Sequence, residues 1–175
     1  MSGPRIRVRT RQEIVRQRRP RRHQCWDHLI AAPLWPPLHG ANLGTLLRTC
    51  DAVGACLAVP RLPWVPEALA RGNTLRRPAC VHWTGRDACR WLLLQRAAGA
   101  RIVGVELAEE AVRLADLPAA RRRTIAVLGH EQTGIPPEAV ELLDVAVEIP
   151  MVGSGASLNV AVAGSLVLYR LAGLI

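Results

Sequence analysis

Short apolar runs recur along this chain, and a stretch of helical period separates each from the next. This alternation constrains the fold more than any other feature. Leu29–Ala32, Cys56–Val59, Cys80–Trp83, Arg101–Leu107, Thr124–Leu128 and Val145–Ile149 predict strands. Between the first two, Leu43, Leu46, Leu47, Cys50 and Val53 fall at spacings of three and four, predicting a helix over Gly40–Val53 with Gly54 as its stop. Asp87–Ala98 predicts a helix ended by Gly99, Pro136 and Pro137 open a short one through Leu142, and Leu158–Leu171 predicts a long apolar last helix. Residues 60–79, rich in Pro, Arg and Gly, predict a loop with a short helix near Glu67–Ala70. Strands alternating with helices predict an α/β fold with a mainly parallel sheet and helices on both faces. Ligands of such sheets sit beyond the carboxyl ends of the strands, so the residues that carry chemistry are expected just after strands.

The size and charge agree with one globule carrying a basic extension. With 175 residues, half of them hydrophobic, the chain has enough apolar material for a core, which excludes wholesale disorder. The longest uncharged apolar run, Val160–Tyr169, is too short to span a bilayer, so no membrane partner is expected. No apolar stretch follows the basic N-terminus, which predicts the absence of a secretory leader and a cytoplasmic protein. The net charge of +9 is concentrated: residues 1–24 hold nine arginines against one acid, Glu13. The organisation expected is therefore a basic arm over 1–24 and a nearly neutral domain over 25–175. Arg16, Arg18, Arg19, Arg21 and Arg22 in the arm are candidate RNA-binding residues, because basic blocks commonly bind nucleic acid. The chain has no lysine, and the planar fork of arginine suits phosphate. Five cysteines at 25, 50, 56, 80 and 89 form no C-x-x-C. Their spacing fits neither a zinc site nor a disulfide framework, so separate reduced thiols and no metal are expected.

Three constellations carry chemistry. The first is Asn42-Leu-Gly44-Thr-Leu-Leu-Arg48-Thr49-Cys-Asp-Ala52-Val-Gly54. Asn42 and Gly44 lie at a helix start, where free backbone N–H groups receive anions. Arg48 sits on an otherwise apolar helix. Either it is laid along the surface or it has a partner that repays its place there. The second is Gly129-His130-Glu131-Gln-Thr-Gly134-Ile135, a strand running into two glycines around one carboxylate. A tight turn with a helix-capping Glu131 is one reading and a ligand loop the other. It is not a G-x-G-x-x-G or a Walker loop, which counts against a nucleotide-dependent oxidoreductase. The third is Ile149-Pro-Met151-Val-Gly153-Ser-Gly155-Ala-Ser157-Leu158-Asn159-Val160-Ala161. Ser157 fits an N-cap, whereas Asn159 would open a helix that is apolar all round and needs a partner there.

Taken together and in this order, the three patterns resemble the SpoU/TrmH family of SPOUT-superfamily RNA methyltransferases. The family's N-x-G-x-x-x-R-T-x-x-A-x-G, G-x-E-x-x-G-[IL] and I-P-M-x-G-x-x-x-S-L-N-V-A motifs are met at every fixed position. Gln132 is not characteristic of the second motif. The resemblance covers about Leu29 to Leu171 and leaves the arm outside. It implies an α/β fold whose C-terminal segment is threaded as a trefoil knot, a homodimer, and S-adenosylmethionine bound at the knotted loops. Those loops fall here at Val105, Glu106 and Leu107, at Leu128, Gly129 and His130, at Ile149 and Met151, and at Ser157, Leu158 and Asn159. The activity implied is methylation of a ribose 2′-hydroxyl in tRNA or rRNA. Arg48 matches the essential arginine and would also contact RNA. Asn42 would orient Arg48 or the ribose, Glu131 would order its loop and hold Arg48, and Ser157 and Asn159 would shape the pocket. The rival readings are an inactive RNA-binding relative and methylation of a base. Trp35 and Trp64, in Pro-rich loops, are the better base-stacking candidates, with Trp26, Trp83 and Trp91 expected in the core or an interface.

Overall fold

The computed structural model describes residues 7–10, 12–13, 25, 27–36, 40–72, 80–155 and 157–175. Seven strands form one sheet: β1 (Leu29–Pro33), β2 (Cys56–Pro60), β3 (Val81–Thr84), β4 (Arg101–Val105), β5 (Val112–Arg113), β6 (Thr124–Leu128) and β7 (Val145–Glu148). Their order is β3-β2-β1-β6-β4-β7-β5, and every pairing is parallel. Among the described residues, five α-helices pack with the sheet: α1 (Gly40–Val53), α2 (Val65–Ala70), α3 (Ala88–Ala97), α4 (Pro137–Val140) and α5 (Val160–Leu171).

A strand period of two feeds two cores. Leu29, Ala31, Leu57, Val59, Val103, Ala126 and Leu128 face a layer built with α1, α2 and α5. Ile30, Ala32, Cys56, Ala58, Ile102, Ile125 and Val127 face a layer with α3 and α4. The central strands β1, β2 and β6 are buried on both faces, which is why they read as unbroken apolar runs rather than alternating ones. On α1, Leu43, Leu46, Leu47 and Cys50 are buried at the spacing the sequence shows. Gly164 lets α5 approach closely: a Cβ there would stand 2.8 Å from both Leu128 Cδ1 and Leu46 Cδ2.

Several boundaries differ from expectation. β4 stops at Val105, so Glu106 and Leu107 are loop residues. α5 starts at Val160 rather than Leu158 because Asn159, not Ser157, is its N-cap. The two-residue β5 is not foreseen by the apolar pattern, since so short a strand has no periodicity to read. Asp87 caps α3 by accepting from Arg90 N at 2.9 Å. Within 60–79, α2 opens at Val65 with Pro66 in its first turn. The arm residues Arg16, Arg18, Arg19, Arg21 and Arg22, with Trp26, lie outside the described residues.

Candidate active site

Three neighbouring strands, β6, β4 and β7, end side by side, and a cavity of about 450 Å³ opens beyond them. The strand ends and the loops after them form its walls: 105–107 at β4, 128–135 at β6, and 147–149, 151 and 157–158 at β7. The structure brings Val105, Glu106, Leu107, Leu128, Gly129, His130, Ile149, Met151, Ser157 and Leu158 to this one cavity, together with Glu131. Asn159 is not among the lining residues; it stands behind the wall as the α5 cap. Gln132, Thr133, Gly134 and Ile135 also line the space. Their signal in the sequence is the second glycine of the motif.

The β6 loop is folded back on itself. His130 N donates to Gly134 O at 2.9 Å and Gly134 N to His130 O at 2.8 Å, closing a tight turn. A Cβ on Gly129 would lie 2.4 Å from the Gly134 carbonyl carbon. Gly134 has φ +67°, and a Cβ there would lie 2.5 Å from Glu106 Oε2. Both glycines are thus steric requirements of the turn. The carboxylate that ties this loop down is Glu106, whose Oε2 accepts from Ile135 N at 2.9 Å and Oε1 from Leu107 N at 3.1 Å. The motif pattern had pointed to Glu131 for that ordering task.

Glu131 instead points toward the first motif. Its Oε1 accepts a short hydrogen bond from Asn42 Nδ2. Asn42 Oδ1 accepts from Asn159 Nδ2 at 3.2 Å, and Asn159 Oδ1 accepts from Ala161 N at 2.9 Å and Val162 N at 3.3 Å. A carboxylate only accepts and the helix N–H groups only donate, so each amide has one possible orientation. The relay runs from the N-terminus of α5 to the cavity rim and joins all three motifs. It also explains Asn42, one of the few buried polar residues of the chain, at 8% exposed.

Arg48 is exposed on α1, and among the described residues it has no hydrogen-bond or ion-pair partner. It does not line the cavity. Within this chain Glu131 is not paired with Arg48; its Oε1 accepts from Asn42. Trp64 is exposed as expected. Trp35 is half-buried against the α3 layer; Trp83, expected in the core or an interface, is outside the core and exposed in this chain, with the Arg61 guanidinium 5.6 Å from its ring centre.

A parallel α/β sheet with a glycine-turned cavity at three adjacent strand ends defines a class: an α/β domain with a candidate small-molecule site beyond its strand ends. Residues 33–169 match the SpoU rRNA Methylase family, and the chain belongs to that family. It is 35% identical over 134 residues to the Escherichia coli tRNA (guanosine(18)-2'-O)-methyltransferase, covering 74% of this chain and 56% of that enzyme. It is 29% identical to the Bacillus subtilis 23S rRNA (guanosine(2553)-2'-O)-methyltransferase RlmP over 75% of this chain and 53% of that protein. The chain therefore spans little more than half the length of these relatives. Among solved structures, the SpoU methyltransferase AviRb from Streptomyces viridochromogenes in complex with AdoMet is similar, with TM-score 0.64, 25% identity, 83% of this chain and 56% of that one. A chain from a structural study of the "2-OH methylation of C/U34 on tRNA" gives TM-score 0.70 at 25% identity, over 83% of this chain and 95% of that one.

Proposed function

We propose that this protein transfers a methyl group from S-adenosylmethionine to a ribose 2′-hydroxyl of tRNA or rRNA. The observation that carries the reading is the relay from Asn159 through Asn42 to Glu131, which gathers the three family motifs at the rim of one cavity. The cavity suits the cofactor. Its volume, about 450 Å³, falls in the range of small-molecule sites, and Leu128, Ile149 and Leu158 are among its lining residues. When bound, S-adenosylmethionine supplies a methyl already activated on a sulfonium.

This chain's own residues do the rest. Glu106 and the Gly129–Gly134 turn hold the wall in place, so the donor and the acceptor oxygen meet in a fixed alignment. Glu131 and Ser157, at the rim, orient the ribose. Asn42 and Asn159 act through Glu131 as positioning residues. Arg48 serves as clamp and electrostatic stabiliser of the developing oxyanion and a nearby phosphate. A guanidinium does not give up its proton in a protein, so Arg48 is not a base.

The protein works as a homodimer in this reading. Arg48 stands outside the cavity of its own chain, while Met151, Leu158 and Val162 expose apolar surface beside the rim, at 39, 38 and 49%. A second copy covering that surface brings an arginine to each site. A trefoil threading is supported by the path of residues 106–123. They leave β4, pair outside β7 as β5, and return against α5, where Arg170 Nε donates to Leu117 O at 2.6 Å. In this reading the chain from β7 to α5 passes through that detour. In this reading the 1–24 arm supplies phosphate contacts.

The test is transfer of labelled methyl from S-adenosylmethionine to unmodified tRNA and, separately, rRNA, with the product mapped by nuclease digestion and mass spectrometry. Label on a ribose oxygen is expected. Label on a base, or cofactor binding without transfer to either pool, refutes the reading.

A further inference from the structure

Away from the cavity, at the opposite end of the strands, four side chains distant in sequence converge. Cys25 Sγ lies 3.8 Å from Cys56 Sγ and 3.4 Å from His82 Nε2, and Cys80 Sγ lies 3.5 Å from the same nitrogen. One ligand atom from each of Cys25, Cys56, Cys80 and His82 falls within 4.8 Å of all the others. We propose that these four residues form a structural Cys₃His zinc site that ties the segment preceding β1 to the β2–β3 edge of the sheet.

Three of the six edges have the lengths of a coordination tetrahedron, and the other three lie within 4.8 Å. Zn–S bonds of about 2.3 Å and Zn–N bonds of about 2.0–2.1 Å place S···S edges near ~3.8 Å and S···N edges near ~3.5 Å. Thiols are weak hydrogen-bond donors, and mutual hydrogen bonding gives three of them and an imidazole no reason to gather round one point. None of the five cysteines is in a disulfide.

The register of the sheet builds the cluster. β2 and β3 pair with Leu57 opposite Val81 and Ala58 opposite His82, and Leu57 N donates to Cys80 O at 3.0 Å. Cys56 and Cys80 therefore sit side by side at the strand starts. His82, two residues after Cys80, shares its face. That face is the α3–α4 layer, to which Cys56 and Cys80 both contribute. Cys25 arrives from the lead into β1, whose Ile30 is opposite Cys56. Burial is graded from Cys56, fully buried, through half-buried Cys80 and His82, to exposed Cys25, which closes the site from outside.

Four protein ligands leave no open position, so the site is structural rather than catalytic. On binding, each of the three thiols gives its proton to solvent, and the zinc–trithiolate–imidazole centre carries one net negative charge. Arg123 is near enough for its charge to act on His82, and it also faces Asp27 across 3.7 Å. Asp27 acts on His82 with the opposite sign, so the site's surroundings hold one charge of each kind. The centre thus sets where the basic arm joins the sheet, remote from the methyl-transfer cavity.

The experiment uses the full chain, expressed with zinc and purified without chelators or a metal-binding tag. Elemental mass spectrometry should find one zinc per chain, and zinc-edge X-ray absorption should find three sulfurs and one nitrogen. Cobalt(II) added to the stripped protein should develop the charge-transfer and ligand-field bands of a tetrahedral thiolate site. Cys25→Ser, at the exposed ligand, should weaken zinc binding by more than the ~10–100-fold that loss of an outer partner costs, while Cys89→Ser should leave it unchanged. Should Cys25→Ser not fold, His82→Cys keeps four ligands and should retain zinc with an altered cobalt spectrum. A wild-type chain without zinc that takes cobalt without thiolate bands overturns the proposal. So does a Cys25–Cys56 disulfide in the protein as isolated, or zinc held equally well by Cys25→Ser.

Discussion

Asn42→Asp changes one NH₂ to an oxygen, and the relay predicts a disproportionate effect. Asn42 is 8% exposed and donates to Glu131 while accepting from Asn159. In the variant the bond to Asn159 survives, because Oδ1 still accepts. The bond to Glu131 is lost, and two carboxylates face each other in its place. Losing a hydrogen bond to a charged group costs about 1.5–3 kcal/mol. Like charges about 4 Å apart repel by about 4 kcal/mol at an effective dielectric of 20, which the partial exposure of Glu131 reduces to about 1–2 kcal/mol. The expected destabilisation is about 2.5–5 kcal/mol near neutral pH. Its pH dependence gives the sign. The crowded pair relieves itself by holding a proton that unfolded carboxylates release from about pH 4 upward. A proton held more tightly in the folded state supports folding at low pH and withdraws that support as pH rises. Chemical denaturation of wild type and Asn42→Asp at pH 5 and pH 8 should show the larger gap at pH 8. Adding Glu131→Gln to Asn42→Asp restores one donor and one acceptor and should recover most of the loss in a double-mutant cycle. A cost below about 0.5 kcal/mol, a cost independent of pH, or no recovery in the double variant would refute the relay.

Other consequences are simpler. Arg48→Ala should lower methyl transfer by at least about 100-fold, judged by loss of a transition-state charge partner, with cofactor affinity measured by calorimetry nearly unchanged. Because Arg48 is exposed, the denaturation midpoint of that variant should hardly move, and equal loss of cofactor binding would make the residue structural. Gly134→Ala places a Cβ against Glu106 Oε2 at a positive φ and should destabilise by about 1–3 kcal/mol while weakening cofactor binding; wild-type affinity would mean the turn does not shape the site. Gly164→Ala wedges α5 off Leu46 and Leu128 and should cost about 1–3 kcal/mol in denaturation, whereas a neutral result would mean the packing there relaxes freely. Deleting residues 1–22 should weaken RNA binding and flatten its salt dependence, by about 0.9 in log–log slope for each phosphate the arm neutralises; an unchanged slope would make the arm a bystander.

Much of the site was legible because its constraints are local. A turn that needs φ +67° at residue 134 requires glycine there, and an α5 cap that accepts from Ala161 and Val162 needs a short polar side chain at 159. Such demands leave fixed letters at fixed spacings. The assignment of tasks among those letters was less legible. Glu106 and Glu131 are both carboxylates beside strand ends, and only the fold turns one to Ile135 N and the other to Asn42. Likewise, Trp83 lies exposed on its strand while Trp35 is half-buried, because exposure depends on what packs over each segment.

The sequence by itself determined the strand–helix alternation, the double-sided burial of the central strands and the three glycine-punctuated loops. Each follows from periodicity or backbone geometry within a dozen or so residues. Only the tertiary structure decided which groups meet. Asn42 reaches Asn159 across more than a hundred residues, and Cys25, Cys56, Cys80 and His82 converge through the parallel register of neighbouring strands. Cysteine spacing along the chain carries no trace of that convergence. Lateral neighbours in a parallel sheet are separated by whole crossover connections, and the length of a crossover does not encode the alignment it produces.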